Sequence, residues 1–400
     1  MDLCQAYDVL TSNMDKQYLI DVLSELISVP TEVPFGPETL MNPDDPKLVH
    51  YVQNVVRPMM QDAGIYNIYE APLNQVYVRY GSGQKDESLL IQAYTVTQHQ
   101  NYTKDPFTPR IRVPREYGVT EPCIFGQGVT QNKVHQAAMI TVLKALVEAG
   151  VELSGTLYFN INNEGRSSHA CSEAVIPTLN PRPKQGIVLL GTGFDISAGN
   201  RGRVDVYVHI RGKAAHSSTP WEGLSTIDGA NEAINRIRAI KFTKTHPRLG
   251  GQHAVPYQVI YSPLAPHTLP DYARIKVDRR LLPGDDIDEA VDEVRRAIGD
   301  MAPYQVTVER GVHMLAAYVD EDAPIVQRLA ASTEFVRGKK PAIYYGPGAF
   351  DAGGPCALGV PTVMWGPRGG DGLLGDDYIP ISSAWDEALV LAHLITSWLL

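Results

Sequence analysis

Two short polar stretches of this chain carry side chains that can do chemistry. Gln131-Asn132-Lys133 follows a glycine-rich turn, and Asn163-Glu164 follows the apolar stretch 156–161. A carboxylate such as Glu164 can act as a general acid or base, which contributes roughly 10²–10⁴ in rate when it is well placed. The neighbouring amides can hydrogen-bond to a reacting group. We therefore expect Glu164 to be a functional residue at a strand end beside a cleft.

The apolar spacing before residue 200 alternates between helical and strand periods. It predicts helices at 16–29, 48–63 and 132–149, and buried strands at 88–93, 156–161 and 186–190. This alternation is typical of an α/β main domain with a mostly parallel sheet. Helical character at 324–336 and 384–400, with a strand at 361–365, would complete that domain.

The pattern changes near Arg201. Strands are predicted at 204–210, 257–261, 273–281 and 305–310, and helices at 226–239 and 287–298. Two helices beside an antiparallel sheet make an inserted α+β (ferredoxin-like) domain of the split β-α-β kind.

Bulk composition restricts the partners that the chain can have. The chain has 400 residues, of which 44% are apolar, and a formal net charge of -10, which argues against nucleic acid as a partner. No apolar run approaches membrane-spanning length, and the first residues show no signal peptide. The four cysteines have no paired close spacing, so structural disulfides are not expected. We expect a cytoplasmic protein with no membrane partner.

Four motifs occur in chain order. They are Asp105-Pro106-Phe107, Gly212-Lys213-Ala214-Ala215-His216-Ser217-Ser218, Asp278-Arg279-Arg280-Leu281-Leu282-Pro283-Gly284, and Gly353-Gly354-Pro355 with Gly359-Val360-Pro361. Together they resemble the zinc-dependent family of acetylornithine deacetylase, succinyl-diaminopimelate desuccinylase and glutamate carboxypeptidase. The resemblance covers nearly the whole chain.

The resemblance implies a domain plan and two site residues. Residues 1–200 and 313–400 would form the catalytic-type α/β domain, and 201–312 the lid/dimerisation domain. Arg280 would hold a substrate carboxylate, and His216 would reach in from a partner subunit. A homodimer through the lid domain, with two-fold symmetry, is therefore expected.

Five positions depart from the family pattern. Where the family has zinc ligands or a catalytic base, this chain has Ala93, Thr95, Gln131, Asn163 and Leu373. Zinc takes imidazole, thiolate or carboxylate ligands, and none of these side chains supplies one. Clustered carboxylates without a cation would repel one another, whereas neutral amides can hydrogen-bond in an empty site. The pattern indicates a site rebuilt for use without metal.

The hypothesis is an enzyme without a metal or other cofactor, acting on a small, amino-acid-like substrate that bears a carboxylate. Well-oriented intramolecular attack reaches effective molarities of about 10⁵–10⁸ M, so cyclisation, condensation, acyl transfer or elimination would be feasible without zinc. The predicted catalytic residues are Glu164, His216 and Asn163. The predicted substrate-binding residues are Arg280, His267, Gln131, Asn132, Tyr94 and Asp351.

Two alternatives stay open. One is an amide hydrolase, a deacylase or dipeptidase, with a non-standard metal site built from residues such as Glu164, Asp195, Asp351 and a nearby histidine. The other is a non-catalytic binding protein, which would also retain Arg280 and His216.

Overall fold

The chain forms two compact units. The computed structural model describes residues 3–33, 41–97, 103–163, 169–370 and 375–400. The first unit comprises Met1–Gly199, Ala317–Tyr344 and Gly354–Leu400, and the second comprises Asn200–Ala316 and Tyr345–Gly353. The predicted division at 200/201 and 312/313 stays a prediction. The second unit of the structure differs from it in also taking in Tyr345–Gly353, which carries Asp351.

A mixed sheet of nine strands, counted over the described residues, organises the first unit. Four central strands run parallel because helical crossovers join them, whereas the flanking strands next to them are antiparallel. The predicted α/β fold class is confirmed, with a sheet that is parallel at its centre only. In spatial order the strands are Ile68–Ala71, Gln75–Tyr80, Thr156–Asn162, Ser88–Tyr94, Gln185–Leu189, Thr362–Trp365, Ile196–Asn200 and Ala317–Tyr318, with Ile343–Gly346 also pairing with Ile196–Asn200.

The first unit also contains helices, several of which connect the strands of this sheet. The run from Pro46 to Asp62 is helical throughout, with a π-helical middle at His50–Val56. Val134–Glu148 is buried on nearly all sides, as its apolar composition requires, and packs against Ile381–Leu399. The helices and helical turns of this part are Leu3–Ser12, Lys16–Ile27, Pro46–Val49, His50–Val56, Arg57–Asp62, Arg115–Tyr117, Val129–Lys133, Val134–Glu148, Ala170–Val175, Ile176–Thr178, Pro324–Arg337, Gly353–Ala357 and Ile381–Leu399.

A small antiparallel sheet lies apart from the main one. It joins Arg110–Arg112, Cys123–Phe125 and Tyr378–Pro380. Because Cys123–Phe125 leads directly into the turn at Gly126–Gly128, this sheet sets where the helical run beginning at Val129 starts. It also brings Asp377, which precedes the third strand, next to that turn.

The second unit is ferredoxin-like, as predicted. Its four-stranded antiparallel sheet has the spatial order His253–Ser262, Tyr272–Leu281, Gly202–Arg211 and Gln305–Met314. Helices Thr226–Arg238 and Ile287–Ile298 cover one face, where alternate strand residues such as Val206, Val208 and Ile275 form the core. The remaining short elements are Ala215–His216 paired with Thr268–Leu269, Thr245–His246 paired with Gly250–Gly251, and the turn Pro220–Glu222.

None of the helices in the described ranges combines the length and the apolar character needed to cross a membrane.

Candidate active site

Thr95 and Asn163 meet at the carboxyl ends of two neighbouring parallel strands. Thr95 follows Ser88–Tyr94, and Asn163 follows Thr156–Asn162. The Thr95 hydroxyl donates to Oδ1 of Asn163 at 2.7 Å, and both side chains are buried. The fold therefore brings together two of the positions at which the family resemblance implies metal chemistry.

The Asn163 amide also holds a strained turn. Its Nδ2 donates to the carbonyls of Leu73 and Asn74 at 2.9 and 2.8 Å. Both turn residues have positive φ, 64° and 54°, a conformation that is unfavourable for a leucine in particular. Only a donor can face two carbonyl oxygens, so an amide suits this position and a carboxylate does not.

Asn132 closes the same end of the sheet from the neighbouring turn. Its Nδ2 donates to the carbonyls of Thr95 at 2.7 Å and Val96 at 3.1 Å. Its Oδ1 is buried and has no hydrogen-bond partner among the described residues. Gln131, the adjacent predicted residue, is half-buried in the helical turn Val129–Lys133.

Asp377 and Lys133 anchor this turn, although neither is among the predicted site residues. Asp377 accepts hydrogen bonds from the backbone of Gly128 at 2.7 Å and from the Thr130 hydroxyl at 2.7 Å. Lys133 Nζ donates to the carbonyl of Val29 at 2.9 Å. Burial raises the pKa of Asp377 to about 6 and lowers the pKa of Lys133 to about 7. The partners of both residues are distant in sequence, so the sequence pattern does not reveal these contacts.

The described side chains at the expected ligand positions do not fit zinc. Ala93 has no donor atom, the Thr95 hydroxyl and Asn163 Oδ1 are hydrogen-bonded to each other, and the Gln131 amide is not an imidazole, thiolate or carboxylate. Within the described ranges no group of three or more His, Cys, Asp or Glu side chains could hold a metal ion. Glu164 and Leu373 lie outside the described residues.

The acids of the alternative metal site are separated by unit. Asp195 lies in the first unit, where its Oδ1 accepts a hydrogen bond from the backbone of Ala342 at 2.8 Å. Asp351 lies in the second unit with a buried side chain. Tyr94 is also buried, and its carbonyl accepts a hydrogen bond from Gln136 at 2.9 Å.

His216 and His267 form a pair in the second unit. Both are exposed, and their ring centroids lie 6.0 Å apart. The strand Ala215–His216 pairs with Thr268–Leu269, which directly follows His267, and this pairing brings the two rings together. Nδ1 of His216 accepts a hydrogen bond from the backbone N–H of Ser218 at 3.2 Å. The neutral ring therefore carries its proton on Nε2, which can donate to a carbonyl oxygen.

Arg280 is already partly engaged in the second unit. Its Nη2 donates to Asp278 Oδ2 at 2.8 Å, and its Nη1 donates to the Pro347 carbonyl at 3.2 Å. A guanidinium has five N–H donors, so Arg280 can still bind a carboxylate. The predicted residues thus form two sets: Tyr94, Gln131, Asn132 and Asn163 in the first unit, and His216, His267, Arg280 and Asp351 in the second.

Comparison with known proteins supports the family resemblance. Residues 198–305 match the family described as "Peptidase dimerisation domain". The chain is 21% identical over 413 residues to the uncharacterized protein YgeY of Escherichia coli (strain K12), covering 96% of each chain. It is also 21% identical over 308 residues to the acetylornithine deacetylase of Pectobacterium carotovorum subsp. carotovorum (strain PC1), covering 74% of this chain and 77% of the relative. The chain is thus similar to proteins of the M20 peptidase family, in its dimerisation domain and over most of its length.

Solved structures show that the M20 fold extends over the whole chain. The M20 family metallo-carboxypeptidase Sso-CP2 from Sulfolobus solfataricus aligns with a TM-score of 0.76 at 15% identity, covering 94% of this chain and 98% of that one. Human carnosine dipeptidase 1 aligns with a TM-score of 0.68 at 13% identity, covering 99% of both chains. The family resemblance seen in the motifs is confirmed.

Proposed function

We propose that this M20 protein acts on a carboxylate-bearing derivative of an amino acid, without the two-zinc centre of the family. The contact between Thr95 and Asn163 carries the proposal. These residues occupy the strand ends where the resemblance implies metal chemistry, and they hydrogen-bond to each other at 2.7 Å. Asn163 also donates to two backbone carbonyls, so its amide has a role that a ligand carboxylate could not perform.

The class of reaction that we propose follows from the catalytic groups that are available without a metal centre. One general base contributes roughly 10²–10⁴ in rate, which is far less than a metal centre supplies for hydrolysis of an unactivated amide. A nucleophile within the substrate removes that difficulty, because effective molarities of about 10⁵–10⁸ M are reached. Cyclisation, condensation, acyl transfer and elimination are the reactions that we propose.

Each predicted residue has a role in this proposal. Glu164 is the acid or base, Asn163 orients the reacting group, and His216 polarises a carbonyl through its Nε2 proton. Arg280 holds the carboxylate. Further substrate contacts are assigned to Tyr94, Gln131, Asn132, His267 and Asp351.

The active form is proposed to be a homodimer through the second unit. The match of residues 198–305 to a peptidase dimerisation domain supports this assembly. The edge strand His253–Ser262 adds support, because it exposes Val255, Val259 and Tyr261. Exposed apolar edges are pairing sites unless they are covered.

A second candidate is metal-dependent amide hydrolysis. The likeness to an acetylornithine deacetylase and to a carnosine dipeptidase favours it, since both names describe cleavage of amide bonds. Metal-dependent hydrolysis requires metal ligands other than the described side chains at the strand ends.

Metal analysis combined with a product screen separates the two candidates. The purified full chain would be assayed for bound metal, then incubated with N-acyl amino acids and dipeptides, with and without chelator, and followed by mass spectrometry. The proposal expects turnover that survives chelation and is lost in Glu164→Gln. Stoichiometric zinc, with activity that chelation abolishes, would establish the second candidate instead.

A further inference from the structure

Arg201 is a cation without a carboxylate partner among the described residues. Its Nε donates to the carbonyl of Leu249 at 2.6 Å, and its Nη1 contacts Nδ1 of His253 at 3.1 Å. The guanidinium passes close to Gly250, where an added Cβ would lie 2.8 Å from Nη2. A half-buried guanidinium held by two neutral groups keeps its full positive charge and three further N–H donors.

Arg201 directly precedes the strand Gly202–Arg211 and contacts His253, which belongs to a group of basic residues on the second unit's sheet. Across neighbouring strands, Arg280 lies directly opposite His253 on one side and Arg203 on the other. Directly opposed residues share a face of the sheet, so these three side chains lie on one face. Arg203 is paired with Asp205 at 3.0 Å, and Arg280 with Asp278 at 2.8 Å. Arg201 has no such acid partner among the described residues.

We propose that Arg201 and Arg280 together grip one ligand carboxylate, with His253 as the residue that positions Arg201. This inference rests on the proposed function, in which Arg280 holds the substrate carboxylate, and it adds a second binding residue to that subsite. A carboxylate has two oxygens with four acceptor sites, which suits donors from two guanidinium groups. One such anion supplies the acid partner that Arg201 lacks among the described residues.

His253 is suited to position Arg201 because its ring stays neutral. An arginine can only donate, so Nδ1 of His253 is the acceptor and the ring proton lies on Nε2. Burial lowers the pKa of His253, and the positive charges of Arg201, Arg280 and Arg279 lower it further, against the opposing effect of Asp278. At neutral pH the acceptor nitrogen is therefore available to Arg201.

Calorimetric titration of the full chain tests the inference. The probes are N-acetylglycine, N-acetyl-L-alanine and N-acetyl-L-glutamate, each compared with the matching amide that lacks the α-carboxylate. The wild-type protein is expected to bind at least one acid more tightly than its amide. Arg201→Gln should weaken binding of that acid roughly 10- to 100-fold, as expected for loss of a charge-assisted hydrogen bond, and leave the amide unaffected. Arg201→Lys should retain part of the preference.

A matched pair of variants tests the positioning role. His253→Gln keeps an acceptor oxygen for Arg201 and should bind the acid within about threefold of wild type. His253→Leu removes the acceptor and should weaken binding of the acid, but not binding of the amide. A structural defect would instead weaken the binding of both the acid and the amide, and it would do so in both variants.

The outcomes distinguish this inference from the proposed function. If Arg280→Gln abolishes the acid preference and Arg201→Gln leaves it unchanged, the two-arginine grip is wrong and the carboxylate role of Arg280 stands. If the wild-type protein prefers none of the three acids over its amide, both the two-arginine grip and the carboxylate role of Arg280 are wrong. Equal binding by His253→Gln and His253→Leu would reject the positioning role of His253.

Discussion

At the scale of single residues, the contacts of Asn163 show why an amide suits this position. Its Nδ2 faces the carbonyls of Leu73 and Asn74, which are held at positive φ. We expect Asn163→Ala to lower the free energy of unfolding by about 1–3 kcal/mol through loss of these bonds. Asn163→Asp should cost at least about 1 kcal/mol more, because a carboxylate would then face two carbonyl oxygens. Urea unfolding of both variants at pH 7.5 measures the order.

The test is which of these two variants has the lower free energy of unfolding. A more stable Asn163→Asp than Asn163→Ala would mean that the position accepts an anion, and a cation site at the strand ends would then have to be reconsidered. Repeating the titration with added zinc gives a direct check, since only a metal-binding variant gains stability from the ion.

A second prediction at the residue scale concerns Lys133 and the pH dependence of stability. Burial lowers its pKa from 10.5 to about 7, so the unfolded chain holds one more proton than the folded protein between these values. Stability therefore rises with pH through this group from about pH 7 upward, by at most about 1.4 kcal/mol per pH unit. Below pH 7 both states are protonated, and the buried charge is a constant cost. Urea unfolding between pH 7 and 9 should show the rise in the wild-type protein.

Lys133→Met isolates this contribution. The variant keeps an unbranched side chain of similar length but cannot titrate, so its stability should change less with pH over the same window. Asp377 does not interfere, because its pKa of about 6 lies below the window and its carboxylate stays ionised there. Parallel pH profiles for the variant and the wild type would show that Lys133 keeps its proton on folding.

At the scale of elements, the turn before Val129 depends on Gly128. Its φ is +79°, and an added Cβ would lie 2.4 Å from Thr97 Cγ2 and 3.0 Å from Asn132 Oδ1. Gly118 is a matched control, since its φ is +75° and an added Cβ would meet nothing within 4 Å. Gly118→Ala should cost only the backbone term of about 1–2 kcal/mol.

Gly128→Ala should cost at least about 2 kcal/mol more than Gly118→Ala, because it adds overpacking against the strand end. Thermal unfolding of both variants measures the difference. Similar losses would show that the turn and the residues around Asn132 can move apart without strain. Activity of Gly128→Ala, measured where the variant is folded, would show whether this turn positions the site.

The elements with a long, regular apolar period were predictable from sequence. The helix Ile287–Ile298 and the strand Thr156–Asn162 lie within a residue of their expected bounds. Gln75–Tyr80 was missed although Val76 and Val78 alternate with more exposed positions. The three-stranded sheet could not be predicted, because each strand has three residues and they come from distant segments.

The candidate site was predictable only in part, for a physical reason. The residues Thr95, Asn132 and Asn163 were identified because they depart from a known pattern. The contacts that hold them in place, such as Gly128 with Asp377, join positions far apart in the chain and leave no periodic signal. The roles of Arg201 and His253 depend likewise on strand register, which the sequence did not reveal.

At the scale of the whole molecule, the exposed edge strand His253–Ser262 predicts the assembly. One side of it pairs with Tyr272–Leu281, and it is the edge of its sheet within the described chain. Val255, Val259 and Tyr261 are 47%, 44% and 46% exposed, which is unusual for apolar side chains on a strand. A second copy of the chain, related by a two-fold axis, would cover them and pair the free edge. The wild-type protein should therefore be dimeric at micromolar concentration by sedimentation velocity.

Val259→Asp tests that assembly. A charge in the centre of the edge would have to be buried without a partner in the dimer, whereas in the monomer it stays in water. We expect the dissociation constant to rise at least about tenfold, with the far-UV circular dichroism unchanged. Tyr66→Asp is the control, because Tyr66 is 78% exposed in the first unit and lies outside the edge strand. A monomeric wild-type protein, or equal dimerisation of the two variants, would contradict assembly through this edge. If His216 acts across the dimer, Val259→Asp should lose turnover in parallel with its dimer fraction, and raising the protein concentration should restore both.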